Sequence, residues 1–144
     1  MLLSEVGYAR PAGVEEAVRL LGENDGARAL AGGQTIVNVM KARAAAPDVL
    51  VDLNGLDELR TIRRTADGGL EVGAMATYTE MVRSAEIGEA RPILAEVAGQ
   101  IADVQVRNRG TIGGNVCSND PTNHLPEELK GRTYYRPSGN GEET

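Results

Sequence analysis

A chain of 144 residues with 41% hydrophobic composition has the apolar content for one packed domain, or one domain of two small lobes, and this excludes wholesale disorder. Its formal net charge of −6, from 21 acidic and 15 basic residues, lacks the basic excess of a general nucleic-acid binder. Four Tyr with no Phe and no Trp leave a core of Val, Ile, Leu, Ala and Met, and only Tyr or aliphatic faces for stacking on a flat ligand.

In chain order, residues 13–23 predict an amphipathic helix with Val14, Ala17, Val18 and Leu21 on one face and Gly22 near its end. Residues 27–30 predict a short strand that runs into Ala31-Gly32-Gly33. Residues 35–45 predict a second helix, with Ile36, Val39 and Met40 on one face and Pro47 as the stop. The apolar run 49–53 has the length and character of a buried parallel strand. This alternation predicts a small α/β lobe. Asn54-Gly55 then marks a turn, and residues 61–65 and 70–76 flank Asp67-Gly68-Gly69 as a hairpin. Thr77 and Glu80 form a capping-box pattern that opens a helix to about residue 85. Residues 91–102 predict a stronger helix, with Pro92 in its first turn and Ile93, Leu94, Val97, Ala98 and Ile101 as its apolar face. After Leu125 the chain turns polar, and residues 127–144 predict a loose tail.

Two glycine-rich segments stand out. Ala31-Gly32-Gly33-Gln34-Thr35 joins a strand to a helix, where backbone N–H groups are open to an anion. An ordinary tight turn explains this loop equally well, since a double glycine is weak and the six-residue dinucleotide fingerprint is absent. Arg107-Asn108-Arg109-Gly110-Thr111-Ile112-Gly113-Gly114-Asn115 interleaves three glycines with hydroxyl and amide side chains, and Asp120-Pro121 closes the turn. Two such loops together suggest a clamp on a diphosphate, because glycine has no Cβ to block close approach.

These segments, with Pro47-Asp48-Val49-Leu50-Val51-Asp52-Leu53 between them and Asn119-Asp120-Pro121 after them, resemble the FAD-binding medium subunit of molybdenum hydroxylases. That family includes aerobic carbon monoxide dehydrogenase and the xanthine dehydrogenases, and the resemblance runs from about residue 6 to residue 125. It implies an α/β (α+β) fold of two lobes, the vanillyl-alcohol-oxidase type of FAD-binding domain, with the second lobe incomplete. The lobes fall at residues 1–56 and 57–126, with the tail at 127–144. The implied cofactor is FAD, held without a covalent bond. Its pyrophosphate would rest on backbone N–H groups of Ala31, Gly32, Gly33, Gln34 and Thr35, and of Thr111, Ile112, Gly113, Gly114 and Asn115. Ala102 and Asp120 would also touch it. The implied role is electron transfer from iron–sulfur clusters through FAD to an acceptor. The implied partners are a large molybdenum-cofactor subunit and a small 2Fe–2S subunit, with neither nucleic acid nor a membrane span involved. The family's subunits are longer, and residues 125–137 instead resemble the end of replication-associated AAA+ recombination ATPases, which leads us to expect a truncated or rearranged frame. The alternative reading is a non-catalytic remnant or interaction module that binds no flavin. A flavin oxidase working alone would need a substrate pocket that this length barely provides.

The remaining candidates carry plainer readings beside the chemical ones. His124 is a lone histidine with no visible orienting partner. Cys117 excludes an internal disulfide, fits a reducing cytoplasm and reads as a small packed residue. No metal site and no catalytic acid or base is expected. Arg63-Arg64 and Arg107-x-Arg109 could meet a phosphate, though solvated charges are commoner. Asp52 could take a ribose hydroxyl or serve a turn. Met40, Met75 and Met81 read as core filler. The residues 1–5 have no basic region followed by an apolar run, so no signal peptide is expected.

Overall fold

The computed structural model describes residues 3–118; the tail, His124 and Asp120 lie outside them. The first half is a parallel sheet of β1 (Gly7–Ala9), β2 (Ala27–Leu30) and β3 (Val49–Asp52) in the order β1-β3-β2. β3 is central, pairing Val49–Val51 with Gly7–Ala9 on one side and Val49–Asp52 with Ala27–Leu30 on the other. That position explains its unbroken apolar run, because a central parallel strand is buried on both faces. β1 was not expected from the sequence: it is three residues long, begins with glycine and shows no alternation.

Helix α1 (Val14–Glu23) packs Val14, Ala17, Leu20 and Leu21 on this sheet beside Ala27, Val51 and Leu56. Val18 is exposed, contrary to expectation. The buried stripe is centred near Ala17 and reaches Leu20, which rotates Val18 to the solvent edge. Glu15 and Glu16 sit in the first turn, where the helix dipole favours acids. Helix α2 (Ile36–Lys41) ends earlier than the expected residue 45. Arg43 adopts φ +60, its N–H donates to the Met40 carbonyl and the Ala44 N–H to that of Val39, a Schellman closure.

A 3₁₀ turn (Asp57–Arg60) leads to β4 (Ile62–Arg64) and β5 (Leu70–Val72), an antiparallel pair shorter than expected but at the expected place. Gly68 takes φ +84 in the connection. Helix α3 (Tyr78–Arg83) starts at the predicted capping box: the Glu80 N–H donates to Thr77 Oγ1 at 3.2 Å, and the Thr77 N–H to Glu80 Oε2 at 2.7 Å. Ser84 then caps α4 (Ala85–Ala90), and α5 (Pro92–Gln100), α6 (Val104–Arg107) and α7 (Ile112–Ser118) follow. A second core joins Ala76, Tyr78, Met81, Ile87 and Ala98, with Ile62, Leu70, Val72, Ile101 and Ile112 against it. Met40, Met75 and Met81 are buried, as expected of core filler.

Helix α5 departs from its predicted face. Ala98 is buried and Ala95 and Ile101 pack on the second core, while Ile93, Leu94 and Val97 are exposed. Small Ala side chains let α5 lie close to α3, so the larger apolar residues turn outward. Among the described residues no helix is long and apolar enough to cross a membrane.

The packing yields a stability contrast. Ile87→Ala should cost about 2–5 kcal/mol in urea unfolding, because its side chain is fully buried. Val18→Ala, on the opposite side of the ledger of burial, should stay within about 0.5 kcal/mol. Comparable losses in both variants would contradict the assigned cores.

Candidate functional site

An open cleft of ≈880 Å³ lies between the two cores. The first glycine loop forms one side and Thr111, Gly113, Gly114 and Asn115 the other. The walls between them are mostly apolar, including Val39, Pro47, Met75, Ile101 and Val106. The volume lies within the roughly 300–1,000 Å³ of ordinary ligand clefts.

The first loop is asymmetric in its hydrogen bonding. All five of its carbonyls are engaged. That of Ala31 accepts from Asn54 Nδ2 at 2.9 Å, that of Gly32 from Gln34 Nε2 at 3.1 Å and that of Gly33 from the Val37 N–H at 3.2 Å. The Gln34 carbonyl accepts from Asn38 Nδ2 at 2.8 Å and the Thr35 carbonyl from the Val39 N–H at 3.0 Å. The N–H groups of Gly33, Gln34, Thr35 and Ile36 donate to no atom among the described residues. The turn relies on Gly33 at φ +74, a conformation that L side chains avoid. A row of free donors beside occupied acceptors is an electropositive strip of backbone.

The second segment is built the other way. The Ile112 N–H donates to the Ala76 carbonyl at 3.0 Å and the Gly113 N–H to that of Ala74 at 2.9 Å. The Gly114 N–H donates to Thr111 Oγ1 at 3.1 Å and the Asn115 N–H to the Thr111 carbonyl at 3.1 Å. The N–H groups of Ile112 to Asn115 are therefore taken within the chain, while that of Thr111 donates to no atom among the described residues. The segment is also the start of α7 rather than a loop, because Thr111 caps the first turn and Ile112 anchors in the second core. What it presents to the cleft is the Thr111 hydroxyl proton, which has no acceptor among the described residues, and the Asn115 amide, which donates to the Tyr78 hydroxyl at 2.6 Å.

The glycines have a structural reason of their own. A Cβ on Gly32 would lie 2.0 Å from the Arg109 carbonyl oxygen, and one on Gly113 would lie 2.6 Å from Ala74 Cβ. Both permit backbone-to-backbone contact between segments, so the expected need for ligand space at Gly113 gives way to a need for packing space. Ala102 does not line the cleft, although its neighbour Ile101 does. Sequence reasoning missed Tyr78 and Met75 as lining residues, and only their positions beside the Thr77 cap hinted at them.

Other candidates take plain roles. Arg63 pairs with Glu71 at 2.8 Å and Arg64 with Glu89 at 3.8 Å. Cys117 is exposed at the cleft. Among the described residues no group of three or more His, Cys, Asp or Glu could hold a metal.

Asp52 braces the first loop. It accepts from the Tyr8 hydroxyl, from the Asn54 N–H at 2.9 Å and from Asn54 Nδ2 at 2.7 Å, and the same amide reaches Ala31. Of its two readings, the turn is the one the geometry bears. Burial pushes its pKa up, but the hydrogen bonds from Tyr8 and Asn54, with Arg10 nearby, outweigh burial and hold it below the ordinary value. Its stabilising effect is thus complete above the unfolded pKa of about 4 and is lost as pH falls through the lower native value.

Two outcomes follow from this geometry. Gly32→Ala should lower the melting temperature and part the two segments, seen as faster amide exchange at Gly110; an unchanged melt would mean the contact is incidental. In acid titration of stability, wild type should lose more than Asp52→Asn below about pH 4, and equal slopes would remove Asp52 from the account.

Comparison with known proteins identifies the family. Residues 4–129 match the family described as FAD binding domain in molybdopterin dehydrogenase. The chain is 43% identical over 120 residues to the carbon monoxide dehydrogenase medium chain of Hydrogenophaga pseudoflava, covering 83% of this chain and 42% of that one. It is 35% identical over 125 residues to the glyceraldehyde dehydrogenase medium chain of Sulfolobus acidocaldarius, covering 87% and 44%. The solved carbon monoxide dehydrogenase from Hydrogenophaga pseudoflava superposes with a TM-score of 0.81 at 42% identity, over 86% of this chain and 43% of that one. Quinoline 2-oxidoreductase from Pseudomonas putida gives 0.76 at 37% identity, over 79% and 40%. The chain therefore spans less than half the length of the relatives it matches. On a match that covers most of its length, together with the superposed two-lobed fold, the chain belongs to the family of FAD-binding domains of molybdopterin dehydrogenases.

Proposed function

We propose that this chain binds FAD as part of an electron-transfer subunit of a molybdenum hydroxylase. The observation that carries the proposal is the unpaired row of N–H groups at Gly33, Gln34, Thr35 and Ile36, with every carbonyl of residues 31–35 tied back. A diphosphate is the part of FAD that such a strip recognises, because each oxygen accepts several hydrogen bonds and the charge matches the exposed donors. The net charge of −6 makes this local field necessary, since bulk attraction is unfavourable.

The cofactor lies between a first lobe of residues 1–56 and a second of residues 57–126. Ala31 to Thr35 cradle the pyrophosphate. Thr111 adds its hydroxyl from the opposite side, and Gly113, Gly114 and Asn115 shape the wall. Ile112 acts from behind by anchoring that wall; Ala102 stands outside the cleft lining, and Asp120 is kept as a proposed FAD contact on the family resemblance alone. The apolar walls exclude water, and with no Phe or Trp in the chain any flat ring rests on aliphatic faces. Bound FAD supplies the redox chemistry, and the chain supplies binding and orientation. In the assembled enzyme the electrons come from a small 2Fe–2S subunit, the substrate reacts on a large molybdenum subunit, and the complex works in the cytoplasm. The relatives bearing the names of carbon monoxide and xanthine dehydrogenases support this assembly.

Titration of the chain with FAD, ADP and riboflavin tests the reading. FAD should bind, ADP should compete with it, and riboflavin, which lacks the diphosphate, should bind at least about tenfold more weakly, the equivalent of one charge-assisted hydrogen bond. Equal affinity for FAD and riboflavin, or no flavin binding, would overturn it. Thr111→Val should weaken FAD binding by about tenfold or more while Thr111→Ser retains it. Loss in both would place the effect in packing rather than in the hydroxyl.

A further inference from the structure

Ala102 takes φ +44, a backbone that an alanine rarely adopts. Such a residue persists only where its surroundings over-determine it. Here the surroundings can be named. Helix α5 ends at Gln100, and the Ile101 N–H makes only a long bond of 3.4 Å to the Ala98 carbonyl. The chain then reverses within two residues to enter α6, whose first turn is capped by Asp103 Oδ1 from the Val106 N–H at 2.9 Å. From the last residue of α6, Arg107 Nη1 reaches back and donates to the Ile101 carbonyl at 2.9 Å and the Ala102 carbonyl at 2.8 Å. The Arg107 N–H also holds the Asp103 carbonyl at 2.9 Å. The guanidinium thus closes a ring around the strained corner, and its hydrogen-bond partners among the described residues are carbonyls rather than carboxylates. Both bonds leave the one nitrogen Nη1, whose two hydrogens are fixed in the guanidinium plane, whereas the donors of a lysine ammonium rotate on a flexible stem.

The corner matters because of what it carries. Ile101 and Val106, on either side of it, both line the cleft opposite the first glycine loop. We propose that Arg107 is a positioning residue for the cofactor cleft: by clamping Ile101 and Ala102 it fixes one wall of the cleft, and so sets ligand affinity without touching the ligand. This inference rests on the flavin-binding reading for its ligand, although the clamp itself does not.

The test compares Arg107→Met, Arg107→Lys, Ala102→Gly and the Arg107→Met/Ala102→Gly pair in the full chain. FAD affinity is measured by flavin fluorescence, with melting temperature as a control. Arg107→Met should weaken FAD binding by about fivefold or more, the scale of coupling between contacting groups. Arg107→Lys should not restore it. Ala102→Gly should recover most of the loss in the Arg107→Met background, because glycine holds a positive φ without the clamp. NMR gives a ligand-free readout: the strong intraresidue HN–Hα cross-peak of a left-handed residue should be present at Ala102 in wild type and weaken in Arg107→Met. If wild type binds no FAD, the flavin reading fails, and the cross-peak alone decides the clamp. Unchanged affinity and cross-peak in Arg107→Met, or a loss that Ala102→Gly does not relieve, would overturn the proposal.

Discussion

The site depends on two peptide backbones meeting face to face. Gly32 lies against the Arg109–Gly110 peptide so closely that a single methyl group would collide with a carbonyl. This contact sets the first loop, which belongs to the parallel sheet, against the second segment, which belongs to the helical half. From the same strip, the Tyr78 N–H takes the Gly110 carbonyl and a bridge joins Thr77 to Thr111. The cleft is the space left beside that seam. Remove the close approach and the donors on one side and the Thr111 hydroxyl on the other no longer line one cleft.

Given the seam, the division of labour follows from which backbone groups remain unpaired. In the second segment the N–H groups of Ile112 to Asn115 are taken by Ala74, Ala76 and Thr111, which ties that wall down. In the first loop the acceptors are taken, by Asn54, Gln34 and Asn38 side chains and by the next helix, and the donors are left. Helix α2 is only six residues long, so its dipole adds little, and the recognition we propose rests on discrete N–H groups. Asn54 is the hinge of this arrangement, since one amide satisfies both Ala31 and Asp52.

Much of this was legible in the sequence where local chemistry decides structure. The run at residues 49–52, the hairpin turn around Gly68 and the Thr77–Glu80 box specify their elements through burial, φ and capping. The missing parts are those set by tertiary contact. β1 exists because β3 offers it an edge, not because Gly7-Tyr8-Ala9 prefers a strand. Helix α7 begins at Thr111 because the segment is tied to Ala74 and Ala76; its two glycines argue for a loop on propensity alone. Ile93, Leu94 and Val97 follow a helical period, yet the small Ala98 is what meets the core. For the site, glycine spacing located both segments. It could not tell which would keep its donors, because that depends on pairing across residues far apart in the chain.

An amide-resolved titration tests the central claim most directly. With ADP or inorganic pyrophosphate added to the ¹⁵N-labelled chain, the amides of Gly33, Gln34, Thr35 and Ile36 should move downfield as they acquire a charged acceptor. Those of Ile112, Gly113 and Gly114 should keep their internal bonds and shift little. The reverse pattern, or no response in the first loop, would contradict the account.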